Sequence, residues 1–303
     1  MPVVSSGETP AIVNGMSVDV EDYFQVSAFE DVVDRSEWDS IPRRVDANTR
    51  KLLDLFDEFR VRGTFFVLGW VAERQRDLVV EIARRGHEVA SHGYAHRLIY
   101  DQTPDAFRDD VRRAKGILEE MAQCVVHGYR APSYSITARS LWAPQILAEE
   151  GYRYDSSVFP IRHDRYGIPS APRHPYRMAL TGHTLLEVPP STVQVGHINL
   201  PVAGGGYFRI LPYRWTRWGI AHLNRREQRP AIFYLHPWEV DPDQPRLKAG
   251  TLSRFRHYRN LGQTEPRLRR LLRDFRFGPI RDIVAQTPME APVAFSAAPQ
   301  PVQ

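Results

Sequence analysis

Three features of the sequence predict an α/β fold with a mainly parallel sheet, open or closed as a barrel. Short β-rich runs alternate with amphipathic stretches along most of the chain. Polar clusters follow those runs directly, where α/β folds build their sites. The length of 303 residues suits one large domain of this class.

The elements follow in order. Ala11–Val20 reads as the first strand, and Leu52, Leu55, Phe56 and Phe59 then mark one helical face at i, i+3, i+4 and i+7. Gly63–Leu68 is a strand; a helix through Leu78, Val79 and Ile82 stops at Gly86, which suits a left-handed cap. His87–Ala90 is the next strand. Thr103-Pro104-Asp105 combines a cap, a proline in the first turn and an acid, and starts a helix whose apolar face is Phe107, Val111, Ala114, Leu118 and Met121. A strand over Val125–Tyr129, a helix over Thr137–Glu150 bent at Pro144, and a strand over Tyr152–Asp155 continue the pattern. Proline-rich 160–210 reads as a loop-rich excursion, with Gly204-Gly205-Gly206 as a turn and a strand at Leu185–Val188. An aromatic helix around Trp215, Trp218 and Leu223 leads to a last strand, Ala231–Leu235. Residues 1–10 are expected to be flexible, 11–285 to form the domain, with a basic helical extension from about 246, and 286–303 to be a disordered tail.

Composition excludes several classes. At 42% hydrophobic and 25% charged, the chain is neither disordered nor a disulfide scaffold. Its one cysteine, Cys124, permits no internal disulfide and reads as a buried small hydrophobe between Val125 and Val126. The longest apolar run falls short of the roughly 20 residues that span a bilayer, and no secretory signal is visible, so cytoplasmic residence is the expectation. Residues 246–281 hold eleven Arg or Lys against two acids, in a chain whose net charge is +4. That stretch reads first as an amphipathic packing helix. It leaves open a peripheral contact with a membrane or with polysaccharide-assembly proteins; no nucleic-acid motif accompanies it.

The strand ends carry the chemistry. Asp19-Val20-Glu21-Asp22 places three carboxylates in four residues, which repel unless a cation offsets them. His92 and His96 share a face at i, i+4 if the chain makes a helical turn, and two His with one carboxylate is a zinc-binding set that leaves a position for water. Arg130 follows the next strand and could brace a carboxylate by a forked pair. Asp155 and His236 end two further strands. Tyr23, Phe24, Tyr207, Phe208, Trp215, Trp218 and Trp238 are aromatics from which a sugar groove could draw stacking partners.

This order of acid cluster, HxxxH, Arg, Asp and His resembles the polysaccharide deacetylase family, the NodB-homology or carbohydrate esterase 4 group, over about residues 14–285. The stretches Val18–Phe24, Gly206–Arg209 and Leu235–Glu239 resemble a bacterial subgroup associated with exopolysaccharide gene clusters. The resemblance implies a distorted (β/α) barrel and metal-dependent removal of N-acetyl groups from an amino-sugar-containing glycan. It implies that His92 and His96 hold a divalent ion, zinc foremost, with Glu21 or Asp22 as the third ligand. Asp19 would be the general base, held ionised by Arg130, and His236 the general acid, oriented by Asp155. A backbone N–H near Ser133 would meet the oxyanion, Leu235 would line the acetyl site, and Tyr207 and Trp238 would contact sugar. The alternatives are a deformylase or other amide hydrolase, and a non-catalytic glycan-binding assembly protein.

Overall fold

The computed structural model describes residues 12–288 and 291–293. Eleven strands are present in it: β1 Val13–Val20, β2 Thr64–Val67, β3 Glu88–Ser91, β4 Gly128–Tyr129, β5 Tyr154–Asp155, β6 Tyr176–Ala179, β7 Thr184–Glu187, β8 Thr192–Val195, β9 Ile198–Pro201, β10 Ile232–Leu235 and β11 Arg276–Gly278. The main sheet runs β10-β1-β2-β3-β4-β5-β7-β6, with β11 also on β1. Its pairings are parallel from β10 to β7, and only β6 runs antiparallel. Beyond β7 the chain returns to β10: the Ser191 N–H donates to the Ile232 carbonyl at 3.3 Å, and the Ile232 N–H donates to Ser191 Oγ at 2.7 Å. The sheet thereby closes into the distorted barrel that the resemblance implies.

Strand-end position governs what each segment contributes. β1, β2 and β3 are buried along nearly their whole length, as parallel strands covered by helices must be. Helix Val45–Glu58 lays Leu52, Leu55 and Phe56 on the barrel, and helix Pro104–Ala122 lays Phe107, Val111, Ala114 and Leu118 there. Thr103 caps the latter helix, its Oγ1 accepting the Ala106 N–H at 3.3 Å.

Several expected boundaries shift. Val125 is exposed, and the fourth strand is only Gly128–Tyr129. Pro144 does not bend a helix but sits in the first turn of Ala143–Glu149, where its missing N–H costs nothing. The 160–210 excursion carries β6, β7 and the β8-β9 hairpin. Gly204 has φ +118, and a Cβ there would lie 2.0 Å from the Tyr234 carbonyl oxygen, so only glycine lets this turn reach β10. Cys124 is exposed, because the segment after the helix ending at Ala122 turns over the surface before β4. The 246–281 stretch divides into helices Thr251–Tyr258 and Leu261–Asp274, then β11. Val293, expected in a disordered tail, pairs with Met178 of β6, its N–H donating to the Arg177 carbonyl at 2.8 Å. The expected flexible residues 1–10 lie outside the described residues, as does most of the tail.

At the barrel's N-terminal end a buried carboxylate ties three segments. Glu88 accepts the Thr64 hydroxyl at 2.5 Å, the Arg281 N–H at 3.0 Å and the Tyr154 hydroxyl at 2.9 Å, while burial raises its pKa. Glu88→Ala strands these donors and is expected to lower stability by about 2–4 kcal/mol. A urea melt with a lowered midpoint and unchanged slope checks this.

Candidate active site

At the opposite, C-terminal end of the strands the polar clusters converge. β1 delivers Asp19 at its edge and Glu21 just beyond, and both are buried. Glu21 Oε2 lies 2.7 Å from His96 Nε2 and 3.8 Å from His92 Nε2. These three side chains form a buried group whose ligand atoms all lie within 4.8 Å of one another. The two histidines meet without a helical turn. Gly93 (φ +74) and His96 (φ +50) bend the backbone instead. The bend is clamped from both sides. Asp110 accepts the Tyr94 N–H at 2.8 Å, and Arg35 donates to the Ala95 and His96 carbonyls at 3.0 Å each.

The donor set fits a divalent cation. His92 Nδ1 lies 2.8 Å from the Arg130 carbonyl, which only accepts, so Nδ1 carries the proton and Nε2 presents its lone pair to the group. Burial lowers the His92 pKa to about 4, keeping the ring neutral. Glu21 Oε2 accepts no hydrogen bond despite its burial, while Oε1 accepts Trp238 Nε1–H at 3.2 Å. Burial acts to raise the Glu21 pKa, but the adjacent His96, His236 and His92 hold it down at about 2. An ionised carboxylate with one unsatisfied oxygen and two imidazole nitrogens is the chemistry of a zinc-type site.

Asp22 belongs elsewhere, which corrects its candidacy as a ligand. Its Oδ2 accepts the Arg44 and Val45 N–H groups at 2.8 and 3.0 Å, and its Oδ1 accepts the Tyr23 N–H at 2.9 Å. It caps the helix that starts at Val45. Burial outweighs those bonds and raises its pKa to about 6.

Arg130, at the end of β4, is fully buried and donates to Asp19 Oδ1 at 2.6 Å and to Ser17 Oγ at 2.8 Å. Its other nitrogens reach the Ser156 carbonyl (3.2 Å) and Ser156 Oγ (2.9 Å). His236 stands across the site, its Nε2 3.8 Å from Asp19 Oδ2 and 3.7 Å from Glu21 Oε1. Its Nδ1 pairs with Glu239 Oε1 at 2.7 Å, and Arg209 Nε donates to Glu239 Oε2 at 2.6 Å. Burial works against the charged ring, but the Glu239 bond and the negative charges of Glu21, Glu239 and Asp19 prevail and raise the His236 pKa to about 9.

Asp155 therefore does not orient His236; Glu239 does. Asp155 Oδ1 accepts the Ser156 N–H at 2.9 Å and the Ser157 hydroxyl, holding the turn that supports Arg130. Its register partner Glu187 accepts the Ser157 and Val158 N–H groups at 3.1 and 2.9 Å. Leu235 is wholly buried on β10 in the main core, so it lines no acetyl site. Trp238 is likewise buried: it bonds Glu21 and stacks on His236 at 5.0 Å, and so serves the site from behind rather than by meeting sugar. Tyr23, Phe24 and Phe208 are core residues. Tyr207 is half-buried, its hydroxyl 3.4 Å from that of Tyr166. Ser133, at φ +50, bonds Ser27 Oγ at 2.7 Å.

Arg209 and Glu239 have no assigned role in the sequence reading, although both lie in the stretches Gly206–Arg209 and Leu235–Glu239 that carry its resemblance. The available signal was the acid three residues after His236, in reach of the ring it follows.

Residues 35–154 match the polysaccharide deacetylase family model. The match takes in less than half of the chain. Residues 156–285 match a domain of unknown function, DUF3473. A peptidoglycan-N-acetylglucosamine deacetylase of Bacillus cereus is 32% identical over 98 residues, 32% of this chain and 36% of the relative. A chitooligosaccharide deacetylase of Bradyrhizobium sp. is 33% identical over 101 residues, 33% of this chain and 43% of the relative. The chain thus spans less than half the length of either curated relative. A solved structure from Mycobacterium smegmatis, assigned as a polysaccharide deacetylase, shares the fold at TM-score 0.58 and 22% identity over 92% of this chain and 94% of that one.

Glu239 favours the proton on His236. In protein stripped of divalent ions, the His236 ring should stay protonated at neutrality and titrate near pH 9. Glu239→Gln removes a negative partner, and its titration should move to lower pH. Histidine ring NMR across pH 5–10 reads this shift.

Proposed function

We propose that this protein is a metal-dependent hydrolase that removes N-acetyl groups from an amino-sugar-containing glycan. One observation carries the reading. The Glu21–His92–His96 group lies between an Arg-paired carboxylate, Asp19, and a carboxylate-paired imidazole, His236. A base and an acid thus face one electrophilic centre, as amide hydrolysis requires.

Glu21, His92 and His96 would hold the divalent ion, zinc foremost. When bound, that ion supplies a Lewis acid for the acetamide carbonyl and makes water more acidic. Asp19, paired with the Arg130 guanidinium, takes the proton of the attacking water. Attack on the acetyl carbonyl carbon puts the oxyanion on the carbonyl oxygen, which is assigned to a backbone N–H of the turn at Ser133. His236 gives its proton to the amide nitrogen as the C–N bond breaks, leaving acetate and a free amine. Glu239 and Arg209 hold that ring in place and charged. Tyr207 remains a candidate sugar contact at the rim. The stretches that resemble the exopolysaccharide-associated subgroup support an envelope or exopolysaccharide precursor as substrate.

The test joins metal analysis with acetate release from N-acetylated oligosaccharides and lipid-linked amino sugars. His92→Ala and His96→Ala are expected to lose both the ion and the activity. Asp19→Asn should keep the ion and lose about 10²–10⁴-fold in kcat. Full ion content and full activity in His92→Ala would overturn the mechanism; release of formate in place of acetate from matched substrates would reassign the acyl group.

A further inference from the structure

The basic stretch that begins at Arg246 is used in two different ways. Along helix Leu261–Asp274 the arginines find partners within the molecule, although Arg270 and Arg273 remain exposed. Arg267 donates to the Phe208, Arg209 and Leu211 carbonyls at 2.6, 2.9 and 3.0 Å. Arg269 pairs with Glu58 and Glu265, while Arg270 and Arg273 lie over the Tyr213 and Phe59 rings. Arg246 and Arg259 lie over rings as well, those of Tyr258 and Phe255.

Helix Thr251–Tyr258 and the segment before it are different. Arg246, Lys248, Arg254, Arg256 and Arg259 are all exposed. Among the described residues only Arg256 meets a carboxylate, Asp164 at 3.3 Å; Asp243 is the nearest exposed acid in the chain, and Asp241 is taken by Arg44. The same helix exposes Leu252 (59%) and Phe255 (47%). At 100° per residue Leu252, Phe255 and Arg256 point one way and the buried His257 the other, with Arg254 on the flank beside the cleft. Arg246, Arg254, Phe255, Thr251 and Tyr258 also line a cleft of about 400 Å³.

We infer that this face docks on an anionic lipid bilayer, with the cations on lipid phosphates and Leu252 and Phe255 in the interface. A soluble polyanion would satisfy the charges but leave both apolar side chains in water, whereas a bilayer surface buries them. The geometry also gives the docking a purpose. On the inner side of the helix, His257 stacks on Trp238 at 4.1 Å, and Trp238 stacks on His236 at 5.0 Å. The docking face is thus one aromatic stack away from the candidate acid, so a docked molecule holds its site beside the lipid surface.

The test is sedimentation of the full chain with phosphatidylcholine vesicles, with and without about 30 mol% phosphatidylglycerol. Binding should require the anionic lipid and weaken as salt rises from about 0.05 to 0.5 M. Arg254→Glu with Arg259→Glu should cut the bound fraction about tenfold or more. Leu252→Ser with Phe255→Ser should weaken binding that persists at high salt. All four substituted residues are exposed, and circular dichroism melts matching the parent confirm that the fold is intact. No binding to anionic vesicles overturns the inference. So does binding that the apolar variant leaves unchanged while an anionic polysaccharide competes it away, which would assign the face to a soluble polymer. The readout is binding, so loss of the deacetylase reading and loss of this one are separately visible.

Discussion

The buried pairing of Arg130 with Asp19 is the interaction on which the rest of the site depends. Neither group could be buried alone, since an uncompensated charge in the interior costs several kcal/mol. Arg130 is satisfied in every direction: by Asp19 and Ser17 of β1, by Ser156 after β5, and by the Phe66 ring 4.1 Å below it. Its backbone carbonyl at the same time sets the His92 tautomer. One residue thereby fixes the position of the candidate base and the direction of a candidate metal ligand. The carboxylates of Asp155 and Glu187 act one layer further back, ordering residues 156–158 so that Ser156 can receive the guanidinium and Ser157 the Ala131 N–H.

The same barrel end gives its histidines opposite electrical characters. His92 is buried against a carbonyl, and although Asp19 and Glu21 act to raise its pKa, burial wins, so the ring is neutral and suited to ligation. His236 is also enclosed, but Glu239 holds its Nδ1 and two further carboxylates face its Nε2, so the charged ring is favoured. A neutral ligand and a charged proton donor a few ångströms apart are the division of labour that amide hydrolysis asks for. The environment, not the residue type, makes the assignment.

That dependence on environment explains what the sequence disclosed and what it concealed. The α/β alternation was legible because buried parallel strands are continuous apolar runs and the helices between them keep a 3.6-residue period. Asp19, Glu21, His92, His96, Arg130 and His236 were legible as candidates because each follows a strand. What stayed hidden was orientation. Glu21 and Asp22 are adjacent and chemically alike, and only the path of the chain into the helix at Val45 turns Asp22 away to cap it. Asp155 carried the family's order of motifs, yet Glu239, three residues from His236, is the acid in reach. Trp238 and Leu235 read as substrate contacts, but Leu235 is buried on β10 in the main core and Trp238 is buried against Glu21 and His236.

The distribution of the site along the chain bears on the second half of the protein. Residues 35–154 match the deacetylase model and contain His92, His96 and Arg130, but a site built from them alone would lack Asp19 and Glu21, which precede the match, and the candidate proton donor His236. His236, Glu239, Arg209 and Trp238 all come from residues 156–285, the segment matched only by a domain of unknown function. Nor is that segment separable in space: β7 pairs with β5 at the end of the first match, β10 and β11 pair with β1, which precedes both matches, and Ser191 completes the closure. The two matched regions are therefore two arcs of one barrel. Any account of the second that treats it as an appendage must explain why the ring stacked on Trp238, and the carboxylate that charges it, are found there.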